Sequence, residues 1–219
     1  MLRDYTKWDD EPRSAGAIVE SMLRANQMAR SEPPGPVYVC LDAGLQESAL
    51  EEEIKIPDVS RFQPSEPPRA SGNNVKEVAD MLLGAANPVI MIGRSGRSQE
   101  AWDNRIKLAE AVGAGVFTNL RNAAVFPSDH LLHVGRPAGR INDTMRDVVT
   151  ESDAILSLNW LDFGGTQRLL TRDGELKGKI VHCSSGVGQH RINCFGGANP
   201  TTRIGCPGDR HALNRIQPP

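Results

Sequence analysis

The stretch Asn87-Pro88-Val89-Ile90-Met91-Ile92-Gly93-Arg94-Ser95-Gly96-Arg97 decides the fold. Its apolar run is too short for a buried helix and shows no alternation with polar residues, which predicts a central parallel strand covered on both faces. The glycines that follow predict a sharp turn into a helix. In open α/β sheets, this end of a parallel strand is where ligands bind.

The turn after this strand has two interpretations. Without a Cβ at Gly93 and Gly96 the backbone could approach a phosphate, whose charge the first N–H groups of the next helix would stabilise. The full dinucleotide fingerprint, however, has a third glycine where Ser98 stands. A turn that needs glycine only for its own geometry explains the pattern as well, so both interpretations stay open here.

Helix and strand patterns alternate on both sides of this stretch. Apolar residues at helical spacing predict helices at 75–85, 102–112, 141–149 and 165–170. Asn73 or Asn74 is the expected cap of the first, and Gly113 ends the second. Further strands are predicted at 115–119, 131–135 (a short edge strand), 154–159 and 179–183. The alternation predicts a doubly wound parallel, Rossmann-like α/β sheet.

The first part of the chain predicts less. An amphipathic helix begins after Ser14 and continues to Arg30, and a short strand follows at 36–42. One helix and one strand cannot bury a core, so this segment is an incomplete αβ piece of a second domain. We expect its apolar face, with Ile18 and Met22, to cause poor solubility or self-association.

These patterns divide the chain into four parts. The incomplete piece covers residues 1–46, and a proline-rich, acidic linker covers 47–72. The central α/β domain covers 73–183. Residues 184–219 form an irregular tail without periodicity.

Composition excludes several classes of partner. The 219 residues carry a formal net charge of −2 with both signs interspersed, so we expect no nucleic acid and no membrane as partners. There is no apolar run of transmembrane length in the sequence. The 4 cysteines are not clustered, which suggests reduced thiols and a cytoplasmic location.

Motifs for metal binding or nucleophilic catalysis are incomplete. Cys183, His190, Cys194 and Cys206 lack the paired spacing of a zinc site. His130 and His133 are interpreted as structural histidines. Gly-x-Ser-x-Gly does not occur either, which argues against a hydrolase. We predict no metal site and name no catalytic residue.

Several short motifs, in this order and spacing, resemble the thiamine diphosphate enzymes of the acetolactate synthase and benzoylformate decarboxylase superfamily. Part of them resembles the end of that superfamily's pyrimidine-binding domain: Lys7-Trp8, Arg24-Ala25, Ala29-Arg30, Pro34 to Val39, and Asp42 with Gln46. The others resemble its central domain: Ala86 to Arg94, Leu108-Ala109-Glu110, Val116 to Thr118, Ala124 to His130, and Ser152 to Leu156.

The resemblance implies a three-domain lyase or transferase that acts on 2-oxo acids or acyl donors. In such enzymes a glutamate of the first domain activates thiamine diphosphate, and a Gly-Asp-Gly segment of the third anchors Mg²⁺. This sequence offers only Asp173-Gly174 and Gly208-Asp209, each incomplete. We therefore expect a fragment that is inactive alone. We also expect it to form a homo-oligomer or to bind the missing domains of the same enzyme.

The resemblance also implies that the central domain could hold FAD, as in acetolactate synthases, or ADP, as in some acyl-CoA lyases. The tentative nucleotide site lies at the carboxyl ends of predicted strands and consists of Gly93, Arg94, Ser95, Gly96, Asn119 and Asn159. The alternative to an enzyme fragment is a stand-alone nucleotide-binding or oligomerisation module derived from this domain.

Overall fold

The computed structural model describes residues 2–50, 52–64, 66, 69–119, 122–135, 142–171 and 176–185. These residues fall into two compact units, which divide between residues 67 and 68. The predicted domain boundaries at 46, 72 and 183 stay predictions. The structural expectations for the tail beyond residue 185, including His190, Cys194 and Cys206, lie outside the described residues.

The N-terminal unit is built on two short parallel strands joined by a helix. Strand β1 (Trp8–Asp10) pairs with β2 (Val37–Val39), and α1 (Ala15–Arg30) connects them. The Oγ of Ser14 accepts the Ala17 N–H, which confirms the predicted cap. Strand β1 was not predicted, because three residues of which two are aspartates show no strand pattern.

Two further elements follow in this unit. Helix α2 (Ala43–Glu47) is capped by the Asp42 carboxylate, and a 3₁₀ helix spans Val59–Phe62 within the predicted linker. Gln27 of α1 donates through Nε2 to the carbonyl of Gln63 at 3.1 Å. The predicted linker therefore contacts the C-terminal turn of α1.

The C-terminal unit is a four-stranded parallel sheet with helices between its strands. In chain order it contains α3 (Gly72–Leu83), β3 (Pro88–Ile92), α4 (Gln99–Val112), β4 (Gly115–Thr118), α5 (Asp143–Glu151), β5 (Ala154–Leu158), α6 (Phe163–Thr171) and β6 (Lys179–Cys183). The strand order is β4-β3-β5-β6, and every pairing is parallel. The predicted α/β fold class is confirmed.

Strand β3 is buried along its whole length, as its apolar sequence predicts. Its alternate side chains enter two separate apolar clusters, because successive side chains of a strand point to opposite faces. Ile90 and Ile92 belong to one cluster, and Val89 and Met91 to the other. A strand covered on both faces has no polar side, which explains the missing alternation.

Two predictions for this unit were wrong. Helix α3 is capped by the Oγ of Ser71, which accepts the Asn74 N–H, so Asn73 and Asn74 lie inside the helix. Residues 131–135 do not form a strand, and only His133 bridges to Val116. Residues 130–133 form a turn, in which the His133 N–H donates to the His130 carbonyl at 2.9 Å, and this turn takes up most of the predicted strand.

Candidate ligand site at the carboxyl edge

The predicted site residues meet at the carboxyl edge of the C-terminal sheet. The chain goes from β3 to β4 on one side and later returns to β5 on the other side of β3, so this edge contains the topological switch point. Gly93 follows β3, Asn119 follows β4 and Asn159 follows β5. The three loops adjoin here, as the sequence predicted for the ends of parallel strands.

Gly93 is required by strand packing. Its N–H donates to the Leu158 carbonyl at 2.8 Å, and the next N–H, of Arg94, donates to the Asn159 carbonyl at 3.1 Å. A Cβ built at Gly93 would overlap the backbone of Asn159 and Trp160. This contact explains the glycine without any phosphate.

The rest of the turn is open. A Cβ at Gly96 would meet only the Cβ of Ala101, at an ordinary 3.6 Å. Arg94 is exposed and Ser95 is half-buried. At the start of α4, the Oγ of Ser98 accepts the Ala101 N–H at 3.2 Å, and Glu100 already supplies negative charge in the first turn. The helix start is therefore partly satisfied by its own residues.

Asn159 and Asn119 are both held by hydrogen bonds at this edge. Asn159 has φ of 47°, a left-handed conformation that asparagine tolerates better than most residues. Its Oδ1 accepts the Ser185 N–H at 2.8 Å and is engaged with the loop after β6. The Asn119 N–H points at the Ile92 carbonyl, 3.4 Å away.

Arg105 is a functional candidate that sequence reasoning missed. This residue of α4 is only 9% exposed, and it donates through Nε to the Val125 carbonyl at 2.6 Å and through Nη1 to the Gly96 carbonyl at 2.9 Å. Among the described residues, Nη2 has no hydrogen-bond partner. Burial lowers the pKa of Arg105. Its position three residues after Trp102 and four before Ala109, on the predicted apolar stripe of the helix, could have revealed it.

The two histidines near this edge have partners. His130 accepts the Leu132 N–H through Nδ1 at 3.2 Å, and its Nε2 lies 3.3 Å from Glu110 Oε1. His133 Nε2 lies 3.1 Å from Thr118 Oγ1, and burial lowers the pKa of His133. These contacts agree with the interpretation of both as structural histidines.

Among the described residues there is no metal centre built from protein side chains alone. Magnesium bound to a diphosphate is held by hard oxygen ligands at set positions. In the described ranges, no group of three or more His, Cys, Asp or Glu side chains is placed so that it could hold a metal ion.

Within the same ranges, no helix is both long and apolar enough to cross a bilayer.

Comparison with known proteins identifies the family. The sequence profile described as "Thiamine pyrophosphate enzyme, central domain" matches residues 75–185, which is half of the chain. This range contains all four strands of the parallel sheet and the whole carboxyl edge.

Similar proteins include a probable acetolactate synthase large subunit of Methanocaldococcus jannaschii. It is 27% identical over 161 residues, which are 72% of this chain and 27% of that protein. Glyoxylate carboligase of Escherichia coli O157:H7 is 29% identical over 123 residues, 56% of this chain and 20% of that protein. The chain thus spans about a quarter of the length of these relatives.

Solved structures agree with this result for the fold. Benzoylformate decarboxylase from Polynucleobacter necessarius superposes with a TM-score of 0.62 at 20% sequence identity, over 87% of this chain and 35% of that one. These matches are to enzymes, so they do not favour a stand-alone nucleotide-binding or structural module. The chain belongs to the thiamine pyrophosphate enzyme family, and residues 75–185 are its central domain.

Proposed function

We propose that this chain supplies the central domain of a thiamine diphosphate-dependent lyase or transferase and is inactive alone. The family match over residues 75–185 carries this proposal. The cofactor and Mg²⁺ would be bound by other domains, since the described part of this chain has no cluster of suitable ligands.

The names of the relatives support the class of reaction. They are an acetolactate synthase, a glyoxylate carboligase and a sulfoacetaldehyde acetyltransferase. We propose 2-oxo acids or acyl donors as substrates of the complete enzyme, and the cytoplasm as its location.

The N-terminal unit supports a larger assembly. Met22 is 49% exposed and Tyr38 is 42% exposed. Ala25 is buried. Two three-residue strands leave such side chains without a covering layer. We propose that residues 1–46 are the end of a pyrimidine-binding domain and that missing domains of the same enzyme, or a homo-oligomer, cover this surface.

Calorimetry with thiamine diphosphate and Mg²⁺ tests inactivity. We expect the chain alone to bind neither and to show no turnover of 2-oxo acids, whereas a full-length acetolactate synthase serves as the positive control. Cofactor binding by the isolated chain would contradict the proposal.

A domain exchange tests the positive half of the proposal. The central domain of the Methanocaldococcus jannaschii relative is replaced by residues 73–183, and an unrelated parallel α/β domain of similar size is the control. We expect the first hybrid to bind thiamine diphosphate and keep measurable activity and the second to lose both. Equal loss in the two hybrids would argue against the assignment.

We also propose a nucleotide, FAD or ADP, as a ligand of the carboxyl edge, bound by Gly93, Arg94, Ser95, Gly96, Asn119 and Asn159. The adjacency of three loops at the switch point and the open turn at Gly96 support this site. Equilibrium dialysis of the chain with ADP and with FAD tests it. Arg94→Ala should weaken binding through the loss of a phosphate contact, and no binding of either nucleotide would refute the site.

A further inference from the structure

Arg105 holds a buried positive charge that has no negative partner among the described residues. Two of its three guanidinium nitrogens donate to backbone carbonyls, of Val125 and Gly96. The third, Nη2, has no hydrogen-bond partner in the part of the chain that the structure describes, and it has no exposed surface. A buried charge normally has both a counter-charge and a full set of hydrogen bonds, because each unmet requirement is costly.

Arg146 is an arginine of this chain that has both carbonyl acceptors and a carboxylate partner. It also reaches two backbone carbonyls, of Leu169 and Leu170, at 3.5 Å and 3.3 Å. In contrast to Arg105, its remaining nitrogen is paired with the Asp143 carboxylate at 2.9 Å. The two arginines have similar backbone contacts, but Arg146 is half-buried and paired with a carboxylate, whereas Arg105 is buried and has no such partner among the described residues.

The position of Arg105 indicates where an anion would come from. The carbonyl of Gly96 belongs to the turn between β3 and α4, and Val125 belongs to the segment that follows β4. The guanidinium thus lies between two loops of the carboxyl edge. Arg105 is the seventh residue of α4, and its Nη1 reaches back to the turn that precedes the helix.

We propose that Arg105 is the anion-binding group of this edge and that Nη2 donates to an oxyanion of the phosphate class between the Gly93–Ser98 turn and the segment 122–126. Because Nη2 is buried in this structure, the proposal includes a displacement of the turn at Gly96, which breaks the hydrogen bond between Arg105 Nη1 and the Gly96 carbonyl. This inference rests on the proposed ligand site and not on the thiamine diphosphate assignment. An ordered water would satisfy the hydrogen bonds but not the charge.

Titration of the full chain with inorganic phosphate, ADP and adenosine, at constant ionic strength, tests the inference. We expect phosphate and ADP to bind and to raise the melting temperature, whereas adenosine has no such effect. Arg105→Met should weaken phosphate binding at least about tenfold, and Arg105→Lys should retain part of it, since a charge-assisted hydrogen bond is lost or weakened. Arg146→Met is the matched control, with lower stability but unchanged phosphate affinity.

The outcomes separate the two proposals. Phosphate binding that depends on Arg105, without any ADP binding, supports the inference and refutes the nucleotide. Equal ADP binding by the unmodified chain and Arg105→Met keeps the ligand site and overturns the role of Arg105. Binding of neither ligand overturns both. If Arg105→Met does not fold, ¹⁵N NMR of the arginine side chains in the unmodified chain decides, because a phosphate titration that leaves the Arg105 resonances unmoved overturns the inference.

Discussion

The two units of this chain differ in how they use similar local structure. Both contain helices with an apolar stripe and parallel strands. In the C-terminal unit two apolar clusters cover both faces of the sheet, and Met91 and Ile155 are completely buried. In the N-terminal unit the apolar side of α1 is half-covered, with Met22 exposed.

This difference shows that amphipathic pattern and burial are separate properties. The apolar residues of α1 recur at helical spacing as clearly as the apolar residues of α4, and both helices form where predicted. Burial also needs an opposing layer, and two three-residue strands supply too little of one. Local sequence therefore predicts a helix, whereas the amount of neighbouring structure decides how much that helix stabilises the fold.

The largest expected effect compares one isoleucine from each unit. Ile155→Ala should cost about 4 kcal/mol, because a fully buried side chain leaves a cavity in the core. Ile18→Ala, in the half-buried stripe of α1, should cost about 1 kcal/mol. Amide hydrogen exchange measures the two units separately in the same chain. Equal losses would contradict the contrast between the units.

A smaller effect is expected from two glycines of the same turn. Gly93→Ala should destabilise the C-terminal unit by about 3 kcal/mol, because the new Cβ overlaps the Asn159 backbone and the strands must separate. Gly96→Ala is the matched control, with an expected change below about 0.5 kcal/mol. Urea denaturation of the two variants measures the difference. A tolerated Gly93→Ala would mean that the close approach of the two loops is not needed.

The third prediction uses two carboxylates and pH. The Asp153 carboxylate accepts the N–H groups of Ala86 and Asn87, at 2.6 Å and 2.9 Å, which lowers the pKa of Asp153. A lowered folded-state pKa means stability that is complete above the ordinary aspartate pKa of about 4 and is lost as the pH falls below it. Asp153→Asn should therefore reduce the loss of stability between pH 5 and pH 2.

Asp58 of the N-terminal unit provides the comparison. The N–H and hydroxyl of Ser60, two residues away, lower the pKa of Asp58. Because so local a contact can form before the fold is complete, Asp58→Asn should change the pH dependence of hydrogen exchange less than Asp153→Asn. The reverse order would show that the local turn contributes more than the long-range contact.

The smallest expected effect is a gain in stability. Ala124 has φ of 55°, a left-handed conformation that costs a non-glycine residue about 1 kcal/mol. Ala124→Gly should raise the free energy of unfolding of the C-terminal unit by about 0.5 kcal/mol after the entropic cost of glycine. Thermal denaturation measures this shift, and a loss of stability would show that the segment near Val125 adopts another conformation.

Much of the fold was predictable because its determinants are local. The non-alternating run at β3, the Ser14 cap of α1 and the glycine end of α4 at Gly113, with φ of 63°, each depend on a few adjacent residues. Ser71 was missed as the cap of α3 because two asparagines nearby are equally good caps by residue type.

The candidate site was only partly predictable. Gly93, Asn119 and Asn159 were predicted to lie at one edge, because each follows a strand and the carboxyl ends of parallel strands share the same edge of the sheet. Arg105 was not predicted, because its contact with Val125 joins residues 20 positions apart. Pattern analysis along one helix does not show which loop a side chain reaches.

The sequence by itself determined the class of fold, the central strand and the family, because these depend on periodicity, turn residues and short motifs. Only the tertiary structure decided why Gly93 must be glycine, which strand adjoins β3 and where the charge of Arg105 is buried. The physical reason is range. Hydrogen bonding within a turn and side-chain spacing act over a few residues, whereas close packing and burial join residues that the chain holds far apart.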